Sequence, residues 1–162
     1  MRKIVLLFLL SGFGAFAQDL KEASSDKTSI MEGRLRDLKP TVEKTLENGA
    51  ILSIWILKSD KDATSFIAKA TVKQEIATPK EGMRTIKATF NYAQGKLSGV
   101  DYKETNVVQN PAPSVKKFEK IIAFTDNIQT SPAAGSLPEI EKFIADITSE
   151  ITKIHESNVN SK

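Results

Sequence analysis

The sequence predicts an α+β domain in which a four-stranded antiparallel meander is packed by an N-terminal kinked helix and two C-terminal helices. Apolar residues recur at helical spacing before residue 50, alternate with polar residues from 50 to 103, and return to helical spacing after 113. Helices that stand apart in the chain from a run of strands are typical of α+β domains. The domain is predicted over 29–156, after a flexible lead-in over 18–28 and before a polar tail over 157–162.

The first 17 residues have the features of a secretory signal peptide. Arg2 and Lys3 provide the positive start, an apolar run follows, and Ala15 and Ala17 supply the small residues of an A-x-A cleavage site. The segment 4–17 holds 14 residues, whereas a helix needs about 20 to cross a bilayer. We therefore expect cleavage before Gln18, no transmembrane segment in the mature chain, and a periplasmic or extracellular location.

Composition narrows the possible functions. The chain carries 23 basic and 20 acidic side chains, and loss of residues 1–17 with Arg2 and Lys3 leaves a net charge of +1. That small excess does not favour a nucleic acid partner. The chain has no cysteine and one histidine, which argues against disulfides and against a zinc site. The absence of Asn-x-Ser/Thr sequons also suits a bacterial envelope or extracellular protein. No cofactor is predicted.

The N-terminal helix is predicted from a capping box and one apolar face. Ser29 and Glu32 have capping-box spacing, Pro40 is expected to kink the helix, and Asn48-Gly49 is expected to end it. The residues predicted to form its apolar face are Met31, Leu35, Leu38, Val42 and Leu46.

The four strands are predicted from residue 50 onward. The segment 50–58 is apolar on both faces, as in a central strand, and turns are expected at 59–62, 79–82 and 93–96. Gly99 is a candidate for a β-bulge. The residues predicted to face the core from the last three strands are Phe66, Ala68, Ala70, Val72, Ile76, Ile86, Ala88, Phe90, Tyr92, Val100 and Tyr102.

The segment 110–113 is predicted to end the sheet, and a helix is predicted to begin at Ser114. A linker over 130–139 separates it from the final helix, which has the most regular amphipathic pattern in the chain. The inward residues predicted for the two helices are Val115, Phe118, Ile121 and Ile122 in the first, and Ile140, Phe143, Ile144, Ile147, Ile151 and Ile154 in the second.

The sequence contains no recognisable catalytic motif, and no catalytic or metal-binding residue is predicted. His155 lies in the last turn of the final helix, where a cation favours the helix dipole. Asp101 and Glu104 are expected on opposite faces of their strand, so they do not form the carboxylate pair of a glycosidase. An enzyme whose site lacks a motif remains an alternative.

The sheet face opposite the core carries the candidate binding residues. Residues 50–120 hold 12 basic and seven acidic side chains, a net charge of +5. A basic face suits an anionic envelope component or an acidic protein, although lysines also serve to keep a solvated face from aggregating. Trp55 belongs to an apolar stripe on this face, which is either covered by a C-terminal helix or forms a binding surface. The candidate residues are Trp55, Lys69, Lys73, Lys87 and Lys103.

The function favoured by the sequence is therefore non-enzymatic binding of a partner protein or envelope component through one sheet face. The alternative is a carrier that holds an apolar ligand between sheet and helices, where Ala68, Ala70 and Ala88 leave room. Close packing of helix on sheet explains the same small residues. The sequence leaves the oligomeric state open.

Overall fold

The computed structural model describes residues 38–59, 64–79, 82–109 and 112–160. These residues form one seven-stranded antiparallel sheet, in which every strand pairs with the next along the chain, followed by a single helix. The elements lie within a compact unit spanning Pro40–Lys162. Their bounds are β1 Val42–Thr45, β2 Ile51–Lys58, β3 Ser65–Thr78, β4 Gly82–Ala93, β5 Lys96–Val108, β6 Ser114–Thr125, β7 Ile128–Ser131 and α1 Pro138–Asn160.

An α+β fold with an antiparallel meander and a C-terminal helix is confirmed, but the sheet has seven strands where four were predicted. The predicted turn at 93–96 is present: Gln94 and Gly95 both have positive φ, which matches the twist of a two-residue hairpin. The helix α1 continues to Asn160, into the segment predicted as a polar tail. The signal peptide, the lead-in and the capping box at Ser29 lie outside the described residues.

The predicted N-terminal helix is wrong where the structure describes it. Val42–Thr45 is strand β1, which pairs antiparallel with β2. Gly49, with a φ of 77°, belongs to the turn between these strands, and the Leu46 amide donates to the Ala50 carbonyl across it. The Asn48 side chain accepts a hydrogen bond from the Ala50 amide. The Asn-Gly pair predicted to end a helix therefore makes a hairpin turn.

The predicted helix at Ser114 is also wrong, because Ser114–Thr125 is strand β6. This strand pairs with β5 from Val108↔Ser114 to Gly99↔Ala123. Asp126 and Asn127, both with positive φ, then turn the chain into β7. Asp and Asn adopt this conformation more readily than most residues, so the pair is a hairpin signal.

The helix packs across one face of the sheet, here called the helix-side face; the other is the outer face. At its start Glu141 accepts a hydrogen bond from Gln129 on β7, and farther along Glu150 lies 3.6 Å from Lys44 on β1. The helix thus crosses the sheet from one edge toward the other. Apolar side chains form the core between them, chiefly Leu52, Ile54, Val72, Phe90, Val100, Tyr102, Ile122, Ile144, Ile147 and Ile151.

A bulge near Ala68 corrects the predicted orientation of Phe66. The register between β2 and β3 shifts between Trp55 and Ile56, so that Ile56 pairs with Ile67, and both belong to the core. Phe66 then pairs with Leu57. Since successive side chains alternate across a strand, Phe66 lies on the outer face and not with Ala70.

Docking of α1 is predicted to be a principal source of stability. Ile147 is 3% exposed, and truncation of a buried isoleucine to alanine costs about 2–5 kcal/mol. We expect Ile147→Ala to lower the free energy of unfolding by that amount in urea denaturation. Ser149→Ala, at an exposed position two residues away, should change it by less than about 0.5 kcal/mol. Equal effects of the two substitutions would contradict the docking.

Candidate functional site

Three lysines lie directly opposite one another across the central strands of the outer face. Lys73 on β3 pairs with Lys87 on β4, and Lys87 pairs with Lys103 on β5. Neighbouring strands are about 4.8 Å apart, so the three side chains leave the sheet close together. We call Lys73, Lys87 and Lys103 the lysine row.

Threonines flank the lysine row on both sides. Thr71 and Thr89 form a cross-strand pair on one side, and Thr85 and Thr105 form another on the opposite side. All four share the outer face with the lysines, because they are two residues away along the same strands. Asp101 continues one of these lines beside Lys103, and Glu75 continues the other beside Lys73. The row therefore lies between two lines that each hold two hydroxyl groups, which can donate or accept hydrogen bonds, and one carboxylate.

Carboxylates lie beside the two outer lysines of the row, and none lies directly beside Lys87, whose neighbours are Thr85 and Thr89 along the strand. Glu75 lies 2.8 Å from Lys73, and Glu119 lies 3.5 Å from Lys103. The hydrogen bond from Lys73 and the charge of Lys73 lower the pKa of Glu75, and the charge of Lys87 adds to this effect. Among the described residues no ion pair involves Lys87. The positive charge is thus least compensated in the middle of the row.

The remaining two candidate residues lie on the same face, Lys69 farther along β3 and Trp55 beside it on β2. Trp55 pairs with Lys69, whose ammonium nitrogen is 5.9 Å from the centre of the indole ring, within cation–π range. Lys69 is four residues from Lys73, which corresponds to about 13 Å along a strand. Because α1 packs on the helix-side face, the C-terminal helix does not cover Trp55. All five candidate residues therefore share the outer face.

An open depression adjoins the Lys103 end of the row. It has a volume of about 620 Å³, and its lining includes Lys103, Glu119, Ile121 and Pro132. A second open depression of about 510 Å³ lies where β5 ends and β6 begins, lined mainly by valines and Pro113. The three alanines considered for a ligand cavity line neither depression; all are buried, at 0–6% exposure.

A polar cluster on the helix-side face centres on Glu104. Its carboxylate accepts hydrogen bonds from Arg84 at 2.7 Å, from the Tyr102 hydroxyl at 2.8 Å and from Asn106 at 2.7 Å. Burial acts to raise the pKa of Glu104, but these hydrogen bonds and the charge of Arg84 outweigh it, and the pKa is lowered. Burial, aided by the ionised Glu104, raises the pKa of Tyr102 to about 12.

This cluster has the properties of a structural network. A carboxylate with three donors and a lowered pKa is a poor general base at neutral pH. Asp101 lies on the outer face, where its carboxylate accepts a hydrogen bond from Asn91, so the predicted separation of Asp101 from Glu104 is confirmed. In the described part of the chain no cluster of His, Asp or Glu is arranged to hold a metal ion.

Sequence reasoning placed Thr71 and Thr89 on the same face as the lysines but did not include them among the candidate binding residues, and Thr105 was not singled out. The four flanking threonines alternate with core residues as regularly as the lysines do, so their shared face was visible in the sequence. The network of Arg84, Tyr102 and Asn106 around Glu104 was not singled out. Its signal was the same alternation, with polar residues at inward positions near the strand ends.

No protein-family model, curated protein or solved structure matches this chain. Within the described residues, the one helix is too polar to be a membrane span.

The Glu104 network should make stability depend on pH in the acidic range. A carboxylate whose pKa is lowered by folding stabilises the protein above its unfolded pKa of about 4.3, and that contribution is lost as pH falls through the folded value. We expect Glu104→Gln to lower the free energy of unfolding at pH 7, and the difference from the native protein to shrink below pH 4. Urea denaturation across this range measures it. A difference that is the same at pH 7 and pH 3 would contradict the network.

Proposed function

We propose that this protein is a non-enzymatic, exported binding protein whose outer sheet face binds an anionic envelope component, with the lysine row as the central contact. The carrying observation is the direct opposition of Lys73, Lys87 and Lys103 on three adjacent strands. Like charges directly opposite each other destabilise an antiparallel pair. Features that oppose folding stability in this way are expected at functional or strained sites.

Protection against aggregation explains the row less well. Lysines prevent aggregation of sheets when they lie on exposed edge strands, where they oppose pairing with another chain. The row, however, lies on β3, β4 and β5, which are the third, fourth and fifth of seven strands. The solubility of a central sheet surface does not require lysines directly opposite one another. Each lysine of the row has a threonine two residues away on the same strand, so uncharged polar residues also fit on this face.

The shape and chemistry of the face suit an extended anionic partner. Each lysine ammonium has three donors, and the flanking threonine hydroxyls can complete the contacts of a carboxylate or phosphate group. Ligand sites for small molecules are concave and mostly apolar, whereas this row lies on an open sheet surface. Trp55 on β2 and Phe66 near the start of β3 lie on the same face and offer apolar area to uncharged parts of the partner.

The other function classes have less support. The described residues provide no feature comparable to the row that favours a carrier or an enzyme. A nucleic acid partner is also less favoured, because the row contains neither arginine nor interleaved aromatic side chains.

Lys87→Glu should weaken binding to anionic probes. One lysine near an anionic surface contributes about 1 kcal/mol, so we expect the affinity to fall by roughly tenfold or more. The probes are phosphatidylglycerol vesicles for a lipid headgroup and alginate for an acidic polysaccharide, with phosphatidylcholine vesicles as the neutral reference. Binding should also weaken with added salt, since exposed charges are screened over about 8–10 Å at physiological ionic strength.

Lys142→Glu is the matched control for this experiment. Lys142 is an exposed lysine of α1, which packs on the helix-side face and so lies on the opposite side of the sheet from the lysine row. The same charge change there should leave the affinity for the anionic probes nearly unchanged. Equal losses for both variants, or salt-independent binding, would remove the lysine row from consideration.

The Lys87→Glu substitution should also stabilise the fold. A carboxylate at position 87 would face Lys73 and Lys103 directly, replacing two like-charge pairs with two opposite-charge pairs. We expect Lys87→Glu to raise the free energy of unfolding by about 0.2–1 kcal/mol. Urea denaturation at low salt measures the change, and a loss of stability would show that the opposed lysines do not repel.

A further inference from the structure

Within the part of the chain that the structure describes, strand β6 has a long open edge. β7 has four residues and pairs only with positions 123–125 of β6. Positions 114–122 therefore pair with β5 on one side, while no described strand pairs with them on the other. Every residue from 112 to 121 is exposed. The edge thus presents backbone donors and acceptors that another strand can pair with.

This edge also exposes large apolar side chains. Val115 is 59% exposed and Ile121 is 72% exposed, both on the outer face, and Phe118 is 42% exposed on the helix-side face. The segment contains no proline and no bulge within positions 114–122, features by which proteins commonly block an edge. It is therefore suited to pairing.

We propose that two copies of this chain associate through their β6 edges, paired antiparallel about a twofold axis at Phe118, to form one sheet that continues from copy to copy. A twofold axis perpendicular to the sheet keeps each residue on its own face, so outer-face residues meet outer-face residues. The pairing extends from Val115 to Ile121, because the chain leaving β7 at Ser131, opposite Ala123, approaches the edge beyond that point.

The outer-face pairs in this register are complementary. Lys117 lies opposite Glu119 of the second copy, and Val115 lies opposite Ile121 of the second copy. The axis repeats both pairs, so the contact has two opposite-charge pairs and two apolar pairs. Cross-strand pairs of these kinds stabilise antiparallel sheets. Glu119 already lies 3.5 Å from Lys103 of its own copy, so the second copy would place a lysine on its other side.

The two adjacent registers lack this complementarity. With the axis at Lys117, that lysine would face itself and Val115 would face Glu119. With the axis at Glu119, that carboxylate would face itself and Lys117 would face Ile121. Like charges directly opposite are unfavourable. The sequence of β6 therefore favours one self-pairing register.

The helix-side pairs are mixed. Phe118 meets Phe118 of the second copy, which would extend its edge-to-face contact with Tyr102, whose ring centre is 6.3 Å away. Lys116, however, lies opposite Lys120 of the second copy. This like-charge pair weakens the dimer, so replacing one of the two lysines with a carboxylate should strengthen it.

Charge exchange on the full chain tests the proposal by sedimentation equilibrium. Glu119→Lys alone and Lys117→Glu alone should each weaken dimerisation at least about tenfold, because each creates two like-charge pairs. An equimolar mixture of the two variants should restore the dimer as a heterodimer, and the double exchange in one chain should restore it as a homodimer. Lys120→Glu should strengthen it, and Lys142→Glu on the exposed side of α1 should not change it.

Cross-linking tests the register, since the chain has no cysteine of its own. Phe118→Cys should form a disulfide-linked dimer, because self-paired residues lie within disulfide reach. Lys116→Cys alone should not, whereas a mixture of Lys116→Cys with Lys120→Cys should. A monomer at every concentration, assemblies larger than a dimer, or a dimer insensitive to charges at 117 and 119 would overturn the proposal.

Discussion

The burial of the sheet on one side by a single helix is the constraint on which the rest of the structure depends. Ile144, Ile147 and Ile151 of α1 are at most 4% exposed and pack against the helix-side face of the strands. A shift of one residue in the register of any central strand would turn its core residues outward. The core therefore fixes the register, and the register fixes which side chains meet on the outer face. The lysine row therefore cannot relieve its repulsion by a one-residue slip, because such a slip would expose the core.

A bulge is what brings Lys103 opposite Lys87. From the Gln94-Gly95 turn, Tyr92 pairs with Leu97, but beyond the register shift Asn91 pairs with Gly99. Without the extra residue on β5, Lys87 would lie opposite position 102, and Tyr102 would leave the core. The bulge lies beside Gly99, where the sequence predicted one. The alternation of side chains predicted that the lysines share a face. The direct pairing of Lys87 with Lys103 depends in addition on the extra residue of the bulge, and alternation alone does not predict that pairing.

The errors in the sequence-based fold have a common physical origin. Val42 and Leu46 are four residues apart, a spacing that puts two side chains on one face of a helix and equally on one face of a strand. Phe118 and Ile122 show the same ambiguity in β6. That strand also carries Val115 and Ile121 on its outer face, so it lacks the apolar–polar alternation of a strand with one solvated face. By contrast, α1 and β3–β5 extend over 12 or more residues, and they were predicted correctly as a helix and three strands, although the bulge in β3 turned Phe66 to the outer face.

The proposed dimer bears directly on the proposed function. An axis perpendicular to the sheet keeps the outer faces of both copies on the same side, so two lysine rows would face the same partner. Each row alone offers three ammonium groups, two of them paired with Glu75 and Glu119 at its ends. Weak contacts that act together on an extended anionic surface gain affinity because the second contact forms within an already bound assembly. A small net positive charge can then suffice for binding when the basic groups are displayed as two aligned rows.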